Sequence, residues 1–272
     1  MLRKFLLAGV TALVINVVPA QAHGPIFSPG PETLYKDGVE SHLEYHRSEK
    51  GDETENELAW AIGYGITEDW LISAELPYVR IKEDGNDNDG IGNIALETKY
   101  RFWRRDALGK QDSVSGFAKA ILDTAKDTSD PALSSGANDL VLGLAYGQES
   151  LIWQRWASIR YRFNGDSDAG IERGNRIFAD AAIGWRSEIP QYYKPDLLWM
   201  VELNTEYTQR SEQNNISLAD TGGTEIFLSP GMIWAYRNFA VKSGVQLPVY
   251  NNLNGNQSTS DYRAKFALEM NF

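Results

Sequence analysis

The sequence has no cysteine and only three histidines among its 272 residues. Without cysteine, nothing in the chain requires an oxidising compartment. Beyond the N-terminal residues, no stretch reaches the 18 consecutive apolar residues that a membrane-spanning helix needs.

The sequence also lacks a phosphate-binding loop and a dinucleotide-binding fingerprint. Ser41 lies next to His42 and therefore on the opposite face of a strand, so this pair cannot form a nucleophile and its base. We predict that the protein is not an enzyme.

Basic residues are fewer than acidic ones: the sequence has 26 Lys and Arg and 37 Asp and Glu, which gives a net charge of −11. An acidic surface of this kind argues against nucleic acid as a partner. The mean hydropathy of −0.39 is that of a soluble protein. Membrane barrels reach similar values, because their lipid-facing side chains alternate with polar ones.

The first 22 residues have the pattern of a secretory signal peptide. Arg3 and Lys4 supply the basic start, residues 5–18 the short apolar core, and Ala20-Gln21-Ala22 the small residues of a cleavage site. Cleavage near Ala22 would leave His23 as the first residue. Residues 23–37 contain three prolines and no usable period, which predicts an irregular periplasmic lead-in or a segment tucked into the barrel mouth.

The last eleven residues, YRAKFALEMNF, alternate between an apolar parity and one that is polar except for Ala267. Period-two alternation indicates a strand with one apolar and one polar face. Such a strand at the end of a chain invites aggregation unless its edge is paired, and closure into a barrel removes the edge. With an apolar exterior and a polar interior, the barrel would sit in lipid.

The same alternation recurs along the chain and predicts an all-β, 12-stranded antiparallel transmembrane outer-membrane β-barrel spanning residues 38–272. The predicted strands lie near residues 39–47, 58–64, 70–78, 94–102, 114–123, 140–146, 157–163, 177–185, 197–207, 226–236, 239–247 and 262–272. Shorter connections alternate with longer polar ones, including an acidic loop, EKGDETEN. Outer-membrane barrels alternate short periplasmic turns with longer external loops in this way, which places both termini in the periplasm. A soluble β-sandwich has no reason to keep its two sets of loops unequal.

Three stretches resemble one known family: GIGNIALETKYRF (Gly90–Phe102), SSGANDLVLGLAYG (Ser134–Gly147) and GGTEIFLSPGMIW (Gly222–Trp234). Together they are similar to the outer-membrane transporters named for the meta pathway of phenol degradation. The resemblance implies uptake or efflux of a small molecule across the outer membrane and implies no catalytic residue. The expected partners are therefore outer-membrane lipid, a small-molecule solute, and the barrel assembly machinery, which would engage the closing strand that ends at Phe272.

The inward parity of the predicted strands carries charged side chains of both signs. We predict that these residues line the pore: Glu40, Glu44, Glu57, Glu75, Glu97, Lys99, Arg101, Lys119, Arg160, Arg162, Glu202, Glu206, Lys242, Lys265 and Glu269. A strongly basic lining would be typical of an anion-selective pore. The mixed set instead predicts a field across the lumen that suits small polar or zwitterionic solutes.

All three histidines lie within the first 46 residues: His23, His42 and His46. His42 and His46 share a face of the first strand. A free amine at His23, beside its imidazole, could chelate a metal such as copper or zinc. The sequence therefore leaves three functions open. The first is a channel for a small solute, the second a metal-binding barrel that uses these histidines, and the third a closed structural barrel.

Overall fold

The computed structural model describes residues 24–125, 130–167, 170–191 and 193–272. The predicted signal peptide and His23 lie outside these residues. Sixteen strands occur in the described part of the chain: β1 (Val39–Lys50), β2 (Glu53–Thr67), β3 (Trp70–Glu83), β4 (Asn86–Ile91), β5 (Ala95–Ala107), β6 (Lys110–Ile121), β7 (Asp139–Ser150), β8 (Trp153–Phe163), β9 (Ile171–Glu172), β10 (Arg176–Arg186), β11 (Asp196–Thr208), β12 (Glu212–Gln213), β13 (Ile216–Ser217), β14 (Gly223–Tyr236), β15 (Phe239–Leu253) and β16 (Tyr262–Asn271). None of the described residues forms a helix long and apolar enough to cross a membrane.

Twelve of these strands form a closed antiparallel barrel, as the alternation predicted. Each strand pairs with its neighbour in the sheet, and β16 pairs with β1 from Glu40–Asn271 to Glu49–Tyr262, which closes the ring. The other four strands are short. β4 extends the pairing of β3, while β9, β12 and β13 form a separate small sheet in the loops.

The two ends of the barrel differ in their connections. One end, called here the short-turn end, carries the tight β2–β3, β5–β6, β7–β8 and β14–β15 turns together with the start of β1 and the end of β16. The opposite end, the long-loop end, carries the segments that follow β6, β8, β11 and β15. Both chain ends of the barrel therefore meet at the short-turn end, where Val39 and Phe272 exchange two backbone hydrogen bonds of 3.0 and 2.8 Å.

The outer surface is apolar around the ring, because the outward positions of the strands are large hydrophobic residues. Trp60 is 50 % exposed and Leu144 is 51 % exposed, values that only contact with hydrocarbon makes favourable. Tryptophans are concentrated close to the short-turn end, as in an interfacial aromatic belt: Trp70, Trp103, Trp153, Trp185, Trp199 and Trp234.

Two polar stretches that lie outside the predicted strands are paired as strands in the structure. The acidic stretch EKGDETEN continues β1 and β2 in register, with Glu49 opposite Thr54, and turns at Gly51 with a φ of 59°. The stretch KEDGNDNDG forms the β3–β4 hairpin around Asp84 and Gly85. Beyond the apolar band, a ladder can continue through charged residues because both of its faces meet water.

Candidate functional site

The lumen of the barrel holds residues 24–35, called here the inner segment. It has no regular secondary structure, yet Ile26 is 5 % exposed and Thr33 is also buried. The Thr33 hydroxyl donates to the backbone oxygen of Glu68 at 2.7 Å, and the Tyr35 hydroxyl donates to the backbone oxygen of Phe272. The predicted lead-in therefore passes through the barrel interior and leaves it at the short-turn end.

The Glu202 carboxylate anchors the inner segment to β11. Its Oε1 accepts hydrogen bonds from the backbone N–H groups of Ile26, at 2.6 Å, and Phe27, at 3.0 Å. Its Oε2 accepts from the backbone N–H of Ser28 at 3.1 Å and from the Ser28 hydroxyl at 2.7 Å. These four donors of the inner segment and the Asn204 side-chain amide, at 3.5 Å, converge on one fully buried carboxylate, which compensates the cost of removing its charge from water.

An apolar cluster holds the same part of the inner segment from the other side. Ile26 packs with inward side chains of β8, β10, β11, β14 and β15, namely Trp156, Ala182, Leu198, Met200, Ile233, Ala235 and Ala240. Burying one isoleucine side chain contributes about 1.5–3 kcal/mol. Trp156 also donates its indole N–H to Glu32 at 2.7 Å, so it contacts the inner segment through both its ring and its polar edge.

Inward glycines make room for the inner segment. A Cβ on Gly147 would lie 2.7 Å from Pro31, and a Cβ on Gly244 would lie 2.8 Å from Phe27. Both distances are shorter than carbon atoms tolerate without moving apart. These wall positions have no side chain, and the Pro31 and Phe27 side chains of the inner segment pack directly against them.

A cavity of about 1060 Å³ runs beside the inner segment. Its lining extends from Ile121 and Arg162, close to the long-loop end, to Asn238 and Phe272 at the short-turn end. A second cavity of about 640 Å³ lies at the short-turn end, where Glu32 borders both spaces. The inner segment thus narrows the lumen but leaves space along one side of it.

Ten of the fifteen predicted pore-lining residues border the larger cavity: Glu40, Glu44, Glu97, Lys99, Lys119, Arg160, Arg162, Lys242, Lys265 and Glu269. Arg101 borders the smaller cavity, and its guanidinium is 2.8 Å from Asp69. Glu57, Glu75 and Glu206 lie on the inward parity of their strands. Glu202 also faces inward, but the inner segment covers it, so its contacts are with the segment and with neighbouring wall residues.

Most of the inward charges pair with an oppositely charged neighbour. The structure describes pairs of Lys242 with Glu269 at 2.6 Å, Lys265 with Glu44 at 2.8 Å, Lys119 with Glu75 at 2.9 Å, Arg160 with Asp180 at 2.8 Å, and Arg263 with Glu206 at 2.6 Å. Arg162 and Arg173 both bind Asp139. The charges predicted to face each other across the lumen are therefore largely neutralised along the wall.

Two of the three predicted metal ligands, His42 and His46, lie beside other charged groups. His42 Nε2 is 3.5 Å from Glu44, and His46 lies opposite Lys265 in the β1–β16 ladder. In the described ranges, no group of three or more His, Cys, Asp or Glu side chains is arranged to hold a metal ion. His23, the third residue of the hypothesis, lies outside those ranges.

Three features of the sequence indicate that a segment packs inside the barrel. The alternation of apolar and polar residues does not by itself show this. Leu197 to Val201 is an uninterrupted apolar run, because its inward members pack on the segment while its outward members face lipid. Trp156 is a large aromatic side chain at an inward position. The inward glycines Gly147 and Gly244 are a third signal, because a missing side chain in a strand marks the close approach of another part of the chain.

The sequence of the chain matches one known protein family over most of its length. The family model described as "Putative MetA-pathway of phenol degradation" matches residues 53–259. The chain belongs to this family. The resemblance read from the three sequence stretches is therefore confirmed, and all three lie within the matched residues. A comparison with curated proteins gives no match.

Solved structures with a similar fold are barrels of outer membranes. An outer membrane channel from Pseudomonas putida F1 is 13 % identical with a TM-score of 0.72, over 90 % of this chain and 99 % of that one. The NanC porin is 10 % identical with a TM-score of 0.51, over 85 % and 98 %. The β domain of the Bordetella autotransporter BrkA is 10 % identical with a TM-score of 0.50, over 86 % and 99 %. At these identities the likeness is one of fold.

Proposed function

We propose that the protein is a channel of the outer membrane that passes a small organic solute through a lumen narrowed by its own inner segment. The observation that carries the proposal is the cavity of about 1060 Å³, whose lining reaches from one end of the barrel to the other. The apolar outer band supplies the contact with lipid. The family and the similar channel from Pseudomonas putida F1 support the same role.

The lining of the cavity favours a solute with both apolar and charged parts. Phe27, Phe117 and Phe178 border it alongside carboxylates, lysines and arginines. The family description names phenol degradation, which supports a small aromatic compound as one candidate. In this proposal the short-turn end faces the periplasm, and the barrel assembly machinery recognises β16 with its terminal Phe272.

The proposal is tested by the conductance of the refolded protein in planar lipid bilayers, beside a variant that lacks residues 24–35. We expect the current through the natural chain to show small conductance steps. The deletion should raise the conductance by about twofold or more, because the freed cross-section of the lumen carries additional ions. Electrophoretic mobility before and after heating checks that both proteins are folded barrels. A folded deletion variant with no conductance above that of an empty bilayer would contradict the proposal.

A further inference from the structure

A group of charged side chains lies on the outer surface of the barrel, close to the short-turn end. Arg105, Asp112, Gln148 and Arg155 occupy outward positions of β5, β6, β7 and β8, and each pairs with the next in the strand ladders. Lys110 lies two residues from Asp112, at the β5–β6 turn. In this group, called here the outer basic cluster, three cations stand beside one carboxylate.

The outer basic cluster is separate from the charges inside the barrel. Gln148 has the same parity on β7 as the lipid-facing Leu144. Arg104, Asp106 and Glu149, the other charged residues of these strand ends, have the opposite parity and border the smaller cavity. At the same end, the outward positions of β10, β11, β14 and β15 carry aromatic residues, namely Trp185, Trp199, Trp234 and Phe239. Among these strand ends, the outward excess of positive charge therefore belongs to β5–β8.

Asp112 fixes the arrangement of the cations. Its side chain is 3 % exposed, and its Oδ2 binds both the Arg105 guanidinium, at 2.8 Å, and the Lys110 ammonium, at 3.3 Å. Its Oδ1 accepts from the Tyr146 hydroxyl at 3.1 Å and from the Gln148 amide at 2.9 Å. Lys110 stands at the rim, where it also borders the smaller cavity. Because both cations meet one oxygen atom, their nitrogen atoms are close enough for one phosphate group to contact both.

Arg155 extends the cluster along the wall to β8. Its Nη1 donates to the Gln148 side-chain oxygen at 2.8 Å, and Gln148 in turn donates to Asp112. A guanidinium has five N–H donors, and the described side-chain contact of Arg155 uses one of its nitrogens. The Arg105 side chain is 65 % exposed and Arg155 is also exposed. Both arginines therefore have donors that a ligand can reach from outside the barrel.

The depth of the cluster matches the headgroups of a membrane rather than its hydrocarbon. Trp103 lies two residues from Arg105 and Trp153 two residues from Arg155, all at outward positions. The Arg105 guanidinium lies over the Trp103 ring at 5.7 Å. Tryptophan marks the interface between hydrocarbon and water, and the outer face of a barrel tolerates charge at that level. Lipid phosphate groups lie at the same level.

A shallow groove runs from the cluster toward the middle of the outer wall. Its floor is the run of small outward residues on β6, Gly116, Ala118 and Ala120. In the ladders each of them lies between two larger residues, which are Tyr100 and Leu144, Thr98 and Leu142, and Leu96 and Leu140. These two ridges are about 9–10 Å apart, twice the spacing of neighbouring strands, so one hydrocarbon chain fits between their side chains.

We propose that the outer basic cluster and the β6 groove together bind an anionic phospholipid of the leaflet at the short-turn end. The lipid phosphate contacts Arg105 and Lys110, Arg155 adds attraction for the negative headgroup, and one acyl chain lies in the groove. The phosphate supplies negative charge that three cations and one carboxylate leave uncompensated. This site lies on the outer wall and goes beyond the channel function, because it does not depend on which solute the lumen passes.

The test is native mass spectrometry of the refolded protein from micelles that contain equal amounts of phosphatidylglycerol and phosphatidylcholine. We expect the natural chain to retain phosphatidylglycerol at least about fivefold more than phosphatidylcholine, since each basic residue near an anionic lipid raises its binding by about that factor. Arg105→Gln and Arg155→Gln should each lower this preference by about three- to fivefold. Arg80→Gln is the matched control, because Arg80 is an exposed outward arginine that also binds an aspartate but lies at the long-loop end.

The groove is tested by Ala118→Leu, which fills its floor without altering any charge and should lower the amount of retained phosphatidylglycerol. Ala181→Leu, at an outward position of β10, is its matched control and should retain as much lipid as the natural chain. Electrophoretic mobility before and after heating checks that each variant is a folded barrel. Conductance should be unchanged in all four variants, since their substitutions lie outside the lumen.

Equal retention of the two lipids by the natural chain, or an unchanged preference in both arginine variants, would overturn the lipid site. Millimolar inorganic phosphate should leave the bound phosphatidylglycerol in place. Its displacement would show that the cluster takes phosphate from solution, and would likewise overturn a lipid site. A natural chain that retains phosphatidylglycerol but shows no conductance would overturn the channel function and leave the lipid site standing.

Discussion

At the scale of single residues, Glu202 shows how one carboxylate can hold a segment without secondary structure. Backbone N–H groups in an irregular segment must find acceptors, because burying them unpaired is costly. Glu202 accepts from three of them in a row and from the Ser28 hydroxyl. Behind it, Asn204 donates to Asp180 at 3.0 Å and accepts from Ser229 at 2.7 Å, which extends the polar network into the wall.

The first prediction concerns this anchor. Glu202→Gln replaces two charged acceptor oxygens with one neutral acceptor and a donor, so at least two of the four donors lose their partner. Hydrogen bonds to charged groups contribute about 1.5–3 kcal/mol each. We expect the inner segment to exchange its backbone hydrogens and to be cleaved by protease at least tenfold faster, while the barrel remains folded.

Glu206→Gln is the matched control for this anchor, because Glu206 lies on the same strand and face but binds Arg263 instead of the inner segment. Hydrogen exchange at residues 26–28, followed by mass spectrometry, measures the effect. Equal protection of these residues in the Glu202 variant and the natural chain would show that the apolar cluster alone holds the segment.

At the scale of secondary-structure elements, the two faces of each barrel strand have different surroundings. The outward face contacts lipid, and the inward face contacts the lumen. The outward face of β7 presents Leu142 and Leu144 to lipid, while Val141 and Ala145 on the inward face pack within the lumen. The period of two in the sequence follows from this division, and it is the reason that the strands could be predicted.

The second prediction tests the position of the lipid band. Leu144→Lys places a charge on the outward face near the middle of β7 and should lower the free energy of unfolding by about 2–4 kcal/mol. Leu151→Lys, at the β7–β8 turn, should lower it by at most about 1 kcal/mol, because the interface tolerates charge. Urea titration of the folded proteins in lipid vesicles gives both values. Equal costs at the two positions would contradict a membrane-spanning β7.

Strand ends and loops were less predictable than strand cores. The sequence places the β1–β2 connection in an eight-residue loop, whereas the ladder continues to Lys50 and Glu53. Charged residues are compatible with a loop or with a strand that projects into water, so their pattern does not distinguish the two. The pairing partner decides, and it comes from elsewhere in the sheet: Tyr262 of β16 donates to Glu49 at 2.9 Å.

At the scale of the whole molecule, the lumen contains many charges of both signs, and most of them form ion pairs within the barrel. Such a lining differs from one that concentrates a single sign. The net charge of −11 for the whole sequence therefore does not predict how strongly the pore selects ions.

The third prediction follows from this compensation. We expect the natural chain to discriminate between potassium and chloride by a factor of only about two, since most of the inward charges form ion pairs with an opposite charge. The measurement is the reversal potential across a bilayer with a tenfold gradient of potassium chloride. A strong preference for either ion would show that the paired charges do not cancel along the path of conduction.

The sequence by itself determined the barrel, its number of strands and its two chemically distinct faces, because alternation along each strand is a local property that needs no knowledge of partners. It also determined the family. Only the tertiary structure decided what occupies the lumen. Whether Glu202 lines an open pore or binds the inner segment depends on where residues 24–35 lie, and more than 160 residues separate the two partners. The balance of paired and unpaired charges likewise depends on cross-strand neighbours, which barrel closure fixes and the order of residues alone does not.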